Sequence, residues 1–216
     1  MSISLNLKTI KNEIPNNVLL VAVSKTKPIK DLEIAYEAGQ LHFGENKIQE
    51  LVSKKNNLPE DIKWHMIGHL QRNKVKYIAS FIHLIHSVDS LKLLKEINKQ
   101  GEKINRNLNI LIQMDISNDK TKFGFSFTEI NRILISGELN KYKNITIKGF
   151  MGMASFTNDN SIIKEQFSSL NQLYEKFKTT YSFDYLSMGM SGDYKLAIQC
   201  NSNIIRLGSN IFGKRN

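Results

Sequence analysis

VLLVAVSKTKP, residues 18–28, is the stretch on whose reading the fold depends. An apolar, valine-rich run too short for an ordinary helix is the pattern of a strand buried on both faces. The run ends in Lys25, at the strand's carboxyl end. In closed or open parallel α/β sheets, ligands collect at that end, because the strand-to-helix loops converge there. An amine in that position has two readings. It is a solvated lysine at a strand tip, the commoner fate of the residue, or it is a Schiff-base former whose pKa, about 10.4 when free, is lowered by partial burial or a neighbouring cation.

On either side of this strand the pattern repeats. Apolar residues at Ile3, Leu7, Ile10 and Ile14 predict an entry helix that Pro15 ends. Pro28 falls at a first helical position, with Leu32, Ile34, Ala35 and Ala38 on one face and Gly39 as the stop. A short second strand, Leu41 to Phe43, is expected to break at Gly44-Glu45-Asn46 before a helix carrying Ile48, Leu51 and Val52. Lys63 to Ile67 reads as strand three, with a helix from Lys74 to Phe81. Strand four is Ile82 to Val88, with Asp89 or Ser90 capping the helix Leu91 to Lys99. Strand five, Leu108 to Asp115, leads through a polar loop at 117–124 to a helix from about Thr128. Strand six, Ile145 to Met151, precedes a long helix from Ser161 to Phe177. Strand seven ends in Leu186-Ser187-Met188-Gly189, a helix follows from Tyr194 to Cys200, and Ile204 to Leu207 is strand eight.

Eight strands alternating with helices predict an α/β fold that closes into a single (β/α)8 barrel with an extra amino-terminal helix, one domain over residues 1–216. An open doubly wound sheet is the alternative. Against it, no GxGxxG follows the first strand, and Gly44, Gly68 and Gly189 fall at the ends of different strands, as a barrel rim requires.

Composition narrows the function classes. With 41% hydrophobic residues, 3 Pro and 12 Gly, the chain has enough apolar mass for a large core. No signal-like or membrane-spanning run is present, so a cytoplasmic protein without membrane contact is expected. The single cysteine, Cys200, reads as a buried small hydrophobe. The net charge of +10 admits nucleic acid or a phosphorylated small molecule as partner. The basic clusters at 53–55, 74–76 and 214–215 are short, and no nucleic-acid-binding motif accompanies them, so nucleic acid is the minority reading.

Two small-residue loops near the end of the chain carry the second chemical signal: Met190-Ser191-Gly192-Asp193 after strand seven, and Arg206 to Gly213 after strand eight. In α/β barrels these loops commonly bind phosphate through backbone N–H groups and a helix N-terminus. Ser191 and Ser209 add hydroxyls, and Gly192, Gly208 and Gly213 admit close approach. Ordinary turn and cap chemistry is the other reading. A phosphate there and Lys25 beside it, across a closed rim, suit a carbonyl ligand with a phosphate handle: a sugar phosphate or pyridoxal phosphate. Arg206 would face a pyridine nitrogen or pair with the phosphate. Asn46 would lie next to strand one, or serve as a helix cap. His65, His69, His83 and His86 match no zinc spacing, so no metal site is expected. His65 reads as a hydrogen-bonded structural ring with the option of reaching a ligand. No His/Asp relay accompanies the serines, which removes a serine-hydrolase reading.

With VAVSKTKP (21–28), HFGENKIQEL (42–51), WHMIGHLQRNK (64–74), LIQMDIS (111–117), GFMGM (149–153), LSMGMSGD (186–193) and RLGSNIFG (206–213) in this order, nearly the whole chain resembles the pyridoxal phosphate homeostasis proteins, the YggS/PROSC family. Their fold is like the barrel domain of alanine racemase. The resemblance implies a vitamin B6 homeostasis protein that holds pyridoxal 5′-phosphate as a Schiff base on Lys25. Ser191, Gly192, Gly208 and Ser209 would surround the phosphate, with Arg206 near the pyridine nitrogen. It implies a cofactor carrier or regulator rather than a proven enzyme; a mostly monomeric barrel without catalytic residues, which delivers pyridoxal phosphate to apoenzymes, is the expectation. Alanine racemase uses a second, β-rich domain to supply a tyrosine acid/base, and no such domain is expected here, since the barrel takes up residues 1–216. Tyr36, Tyr185 and Tyr194 sit in no catalytic motif. An amino-acid racemase or related enzyme is the alternative.

Overall fold

The computed structural model describes residues 2–117 and 123–213. The basic pair at 214–215 and the middle of the polar loop at 117–124 lie outside the described residues. Eight parallel strands pair in sequence order and close on themselves: β1 (Leu19–Val23), β2 (His42–Glu45), β3 (Lys63–Met66), β4 (Leu84–Val88), β5 (Leu108–Met114), β6 (Ile145–Gly152), β7 (Tyr185–Ser187) and β8 (Ile204–Leu207). β1 closes the barrel against β8, with Val21 opposite Arg206. The helices are α1 (Ile3–Glu13), α2 (Ile29–Glu37), α3 (Ile48–Asn57), α4 (Leu91–Lys103), α5 (Phe127–Ile135), α6 (Asn160–Tyr181), α7 (Tyr194–Gln199) and α8 (Ser209–Phe212). The barrel fold is the one the alternation predicts.

Alternation along the strands makes two cores. In β1, Leu20 and Ala22 join the large apolar layer under the helices, whereas Val21 joins Leu84, Leu111, Met151 and Ile204 in a separate cluster inside the barrel. Capping follows the sequence where a short polar side chain stands before an apolar period: Ser2, Ser90 and Ser126 each accept a backbone N–H of the first turn. Cys200 is buried at the end of α7.

The elements depart from expectation in several places. β1 ends at Val23, so Lys25 stands in the loop beyond the strand. Pro28 is the N-cap of α2 rather than its first helical residue. β2 runs through Gly44 and Glu45: Gly44 faces the barrel interior, where a Cβ would stand 2.9 Å from Val21 Cγ1, so glycine here makes room inside the barrel and does not end the strand. The expected helix at 74–81 is a 3₁₀ turn over Arg72–Tyr77.

Candidate functional site

Lys25 is held by its neighbours in the chain. Ser24 N–H donates to Gly44 O at 3.1 Å, and Ser24 Oγ donates to Glu45 Oε1 at 2.6 Å. Lys54, reaching in from α3, donates to Ser24 O, Glu45 Oε1 and Glu50 Oε1, each at 2.7 Å. Glu50 Oε1 in turn accepts the Thr26 N–H at 2.6 Å. Thr26 has φ +65°, a left-handed conformation that is costly for a β-branched residue and persists where its surroundings dictate it. Both residues flanking Lys25 are therefore fixed by one cluster of two acids and an amine, buried at Glu45 and Lys54 and reaching the surface at Glu50. Burial raises the Glu45 carboxyl pKa, against the hydrogen bonds from Lys54 and Ser24.

The loop opens on a cavity of about 500 Å³ at the carboxyl ends of the strands. Lys25, Asn46, Ser191, Gly192, Arg206, Gly208 and Ser209 all line it, together with apolar Val23, Ile67, Met153 and Met190. The sequence-derived residues from β1, β2, β7 and β8 thus meet at one place. The two terminal loops are joined: Gly208 N–H donates to Ser191 Oγ at 3.3 Å. That N–H is consequently committed within the protein, and the Ser191 hydroxyl proton is the donor the pair presents outward. A Cβ at Gly192 would meet nothing within 4 Å, so open space lies above that backbone.

Arg206 is buried, and its guanidinium donates to Ser187 Oγ at 2.5 Å and to Gly152 O at 3.1 Å. Burial pushes its pKa down to about 10, with Asp193 opposing, so it stays charged at neutral pH. Two hydrogen bonds aim the planar fork and leave further N–H groups for the cavity. None of Tyr36, Tyr185 and Tyr194 lines the cavity; Tyr36 Oη donates to Asp61 and Tyr194 Oη to Glu13.

From Ser187 a chain of imidazoles crosses the barrel. His86 Nδ1 lies 3.0 Å from Ser187 Oγ, His86 Nε2 lies 2.8 Å from His65 Nδ1, and His65 Nε2 lies 2.9 Å from His42 Nδ1. His65 is thus the structural, hydrogen-bonded ring, and it does not line the cavity. Each imidazole contact needs one N–H and one lone pair, so neutral rings satisfy the chain in either of two directions. Burial, then the facing His86, His42 and His83, hold His65 well below its usual pKa; burial, then Arg206 and His83, do the same to His86. His42 is pushed down to about 4 by burial, His83 and Lys63.

A pH dependence of stability follows. The unfolded chain protonates its histidines near pH 6.5 and the folded one does not, so stability is complete above that pH and falls as pH drops. Two fully buried rings give a slope of roughly 3 kcal/mol per pH unit below about pH 6. Urea unfolding at pH 7.5, 6.5 and 5.5 measures it, and a flat profile would show that the rings titrate as in the unfolded chain.

Ser24, Glu45, Glu50 and Lys54 were not legible as site residues. The Glu50 to Lys54 spacing is a helical i,i+4 ion pair that sequence can show. That the pair turns inward onto Glu45 depends on how α3 packs.

A family model described as alanine racemase, N-terminal domain, matches residues 2–216. A pyridoxal phosphate homeostasis protein of Schizosaccharomyces pombe is 39% identical over 203 residues, which span 92% of this chain and 85% of the relative. One from Pasteurella multocida is 36% identical over 206 residues, spanning 92% and 87%. Among solved structures, PipY of Synechococcus elongatus with PLP bound superposes with a TM-score of 0.89 at 29% identity, covering 98% of this chain and 100% of that one. An alanine racemase of Clostridium difficile superposes with a TM-score of 0.83 at 14% identity over 99% of this chain and 60% of its own, a likeness of fold.

Proposed function

The chain belongs to the pyridoxal phosphate homeostasis protein family, and from that membership and the rim cavity we propose that it binds pyridoxal 5′-phosphate and holds it covalently through Lys25 in the service of vitamin B6 homeostasis. The observation that carries the reading is the convergence of Lys25, Arg206 and the loops at 190–193 and 206–213 on a single cavity. A volume of about 500 Å³ suits a small phosphorylated ring. The cofactor supplies an aldehyde that condenses with amines and an electron-withdrawing ring. Lys25 would bind the aldehyde, the hydroxyls of Ser191 and Ser209 would hold the phosphate, and Asn46 would help to hold the ring. Arg206, charged at neutral pH, would keep a ring nitrogen unprotonated if it held one, and so would temper the ring as an electron sink.

A racemase needs an acid/base group opposite the lysine, and none of Tyr36, Tyr185 and Tyr194 lines the cavity, which favours carriage over turnover. We read the chain as a cytoplasmic, mostly monomeric, non-catalytic carrier in a single domain, which exchanges its cofactor with apoenzymes; a Schiff base is reversible by hydrolysis or by transfer to another amine, so a covalent link permits such exchange. The test is borohydride reduction of the loaded protein followed by peptide mass spectrometry, beside the Lys25→Ala variant. The adduct is expected on the Lys25 peptide, and the variant should lose the visible absorption band. A band that survives in Lys25→Ala, or an adduct on another lysine, overturns the assignment.

A further inference from the structure

The opposite mouth of the barrel holds a second constellation. His42 opens β2, His65 lies within β3, and His83 stands just before β4. One ring nitrogen of each lies within 4.8 Å of the other two. The three rings form a near-equilateral triangle, with centroids 5.2 Å apart for His42–His65, 5.5 Å for His42–His83 and 5.3 Å for His65–His83. That spacing has a physical reference. A metal–nitrogen bond of about 2.05 Å, and roughly 1.1 Å from nitrogen to ring centre, put each centroid about 3.2 Å from a shared ion; tetrahedral directions then separate the centroids by about 5.2 Å.

We propose that His42, His65 and His83 form a binding site for a divalent transition metal at the amino-terminal mouth of the barrel. Three imidazoles without thiolate or carboxylate select an ion of the zinc, copper and nickel group over magnesium or calcium. His65 is buried, while His42 and His83 are half-buried and give the ion access and an open fourth position toward solvent. The hydrogen bond of 2.9 Å between His42 Nδ1 and His65 Nε2 need open by only about 0.4 Å for both lone pairs to face one ion. His83 makes no side-chain hydrogen bond among the described residues, so its lone pair needs no exchange of partners. Lys63 and Arg106 are the cations that face His83, and Lys63 also faces His42. They oppose the ion's charge and set a moderate affinity, although the Arg106 guanidinium is itself engaged by Ala79 O and Ile82 O.

The hydrogen bonds behind His65 are already made. With His65 Nε2 on the ion, His65 Nδ1–H donates to His86 Nε2, and His86 Nδ1–H donates to Ser187 Oγ, which also accepts from Arg206. Of the two directions open to the imidazole chain, the metal selects this one. The site stands independently of what the opposite cavity binds.

The probe is Zn²⁺, added to the chelator-treated full chain without an affinity tag and measured by equilibrium dialysis with elemental analysis. One equivalent should bind saturably and raise the melting temperature with Zn²⁺ concentration. His83→Ala, which removes a ligand outside the hydrogen-bonded chain, should weaken binding by at least about 10-fold, with His42→Ala as the second variant. His69→Ala, remote and paired with Asp89, should bind as before. No saturable equivalent, undiminished binding in a folded His83→Ala, or equal loss in His69→Ala overturns the proposal.

Discussion

Gly149→Ala should destabilise the protein by about 4 kcal/mol or more and lower its melting temperature by roughly 8–16 °C. Gly149 has φ +139°, and a Cβ built on it would stand 1.9 Å from Tyr185 O and 2.9 Å from Tyr185 C. Those are backbone atoms of the paired strand: Gly149 is opposite Tyr185 in the β6–β7 ladder, so no rotamer relieves the contact. The residue also follows a register shift, where Ile110 pairs with Ile147 and Leu111 with Gly149. Further along the same segment, Gly152 O accepts from Arg206 and Met153 lines the cavity. Two controls grade the effect. Gly39→Ala carries positive φ (+77°) with only Lys11 Nζ at 3.9 Å, and should cost about 1 kcal/mol. Gly192→Ala meets nothing and should leave the melting temperature unchanged. Equal melting temperatures for Gly39→Ala and Gly149→Ala would show that β6 and β7 separate easily.

The barrel was legible because each of its parts carries a local signal. Val18 to Val23 is apolar without helical spacing, the helices show one apolar face, and short polar caps precede α4 and α5. The rim residues were legible because the barrel topology fixes where strand ends go: once β1 neighbours β8, Lys25 and Arg206 must meet. What escaped the sequence depends on side chains crossing between elements. Nothing in Glu45 announces that it turns inward to a lysine nine residues later, since acids after a glycine usually read as turn or cap. The histidines look scattered at 42, 65, 83 and 86 because metal spacings learned from helices and ribbons do not apply. In a barrel, residues on adjacent parallel strands come together at intervals set by the length of the intervening βα unit. The same topology that made Lys25 and Arg206 neighbours could have shown that His42, opposite Lys63, lies beside His65.

Lys54→Met should cost about 3–5 kcal/mol at pH 7.5, because it leaves the fully buried Glu45 carboxylate without its ammonium. Glu45 Oε2 already lacks a partner, so Oε1, shared by Lys54 and Ser24, carries the stabilisation of the charge. The sign of the pH response separates this cause from lost packing. A carboxyl whose folded pKa is raised binds more protons folded than unfolded, so stability is lost as pH rises from about 4.3, the unfolded value, through the folded one. Removing Lys54 enlarges the upward shift. The gap between Lys54→Met and the unaltered protein should therefore narrow as pH falls from 7.5 toward 5, even while both lose stability through their histidines. Glu45→Gln combined with Lys54→Met should recover most of the loss, since a neutral amide can still pair with Ser24. A gap that is constant with pH, or a double variant no better than the single one, would sink the electrostatic account. The consequence reaches the site. Lys54 holds Ser24 O and orients the Glu50 carboxylate that accepts from Thr26, so without it both residues flanking Lys25 lose part of what fixes them. Lys54→Met that remains folded at 10 °C should load less pyridoxal phosphate than the unaltered protein, read by the visible band, although Lys54 does not line the cavity.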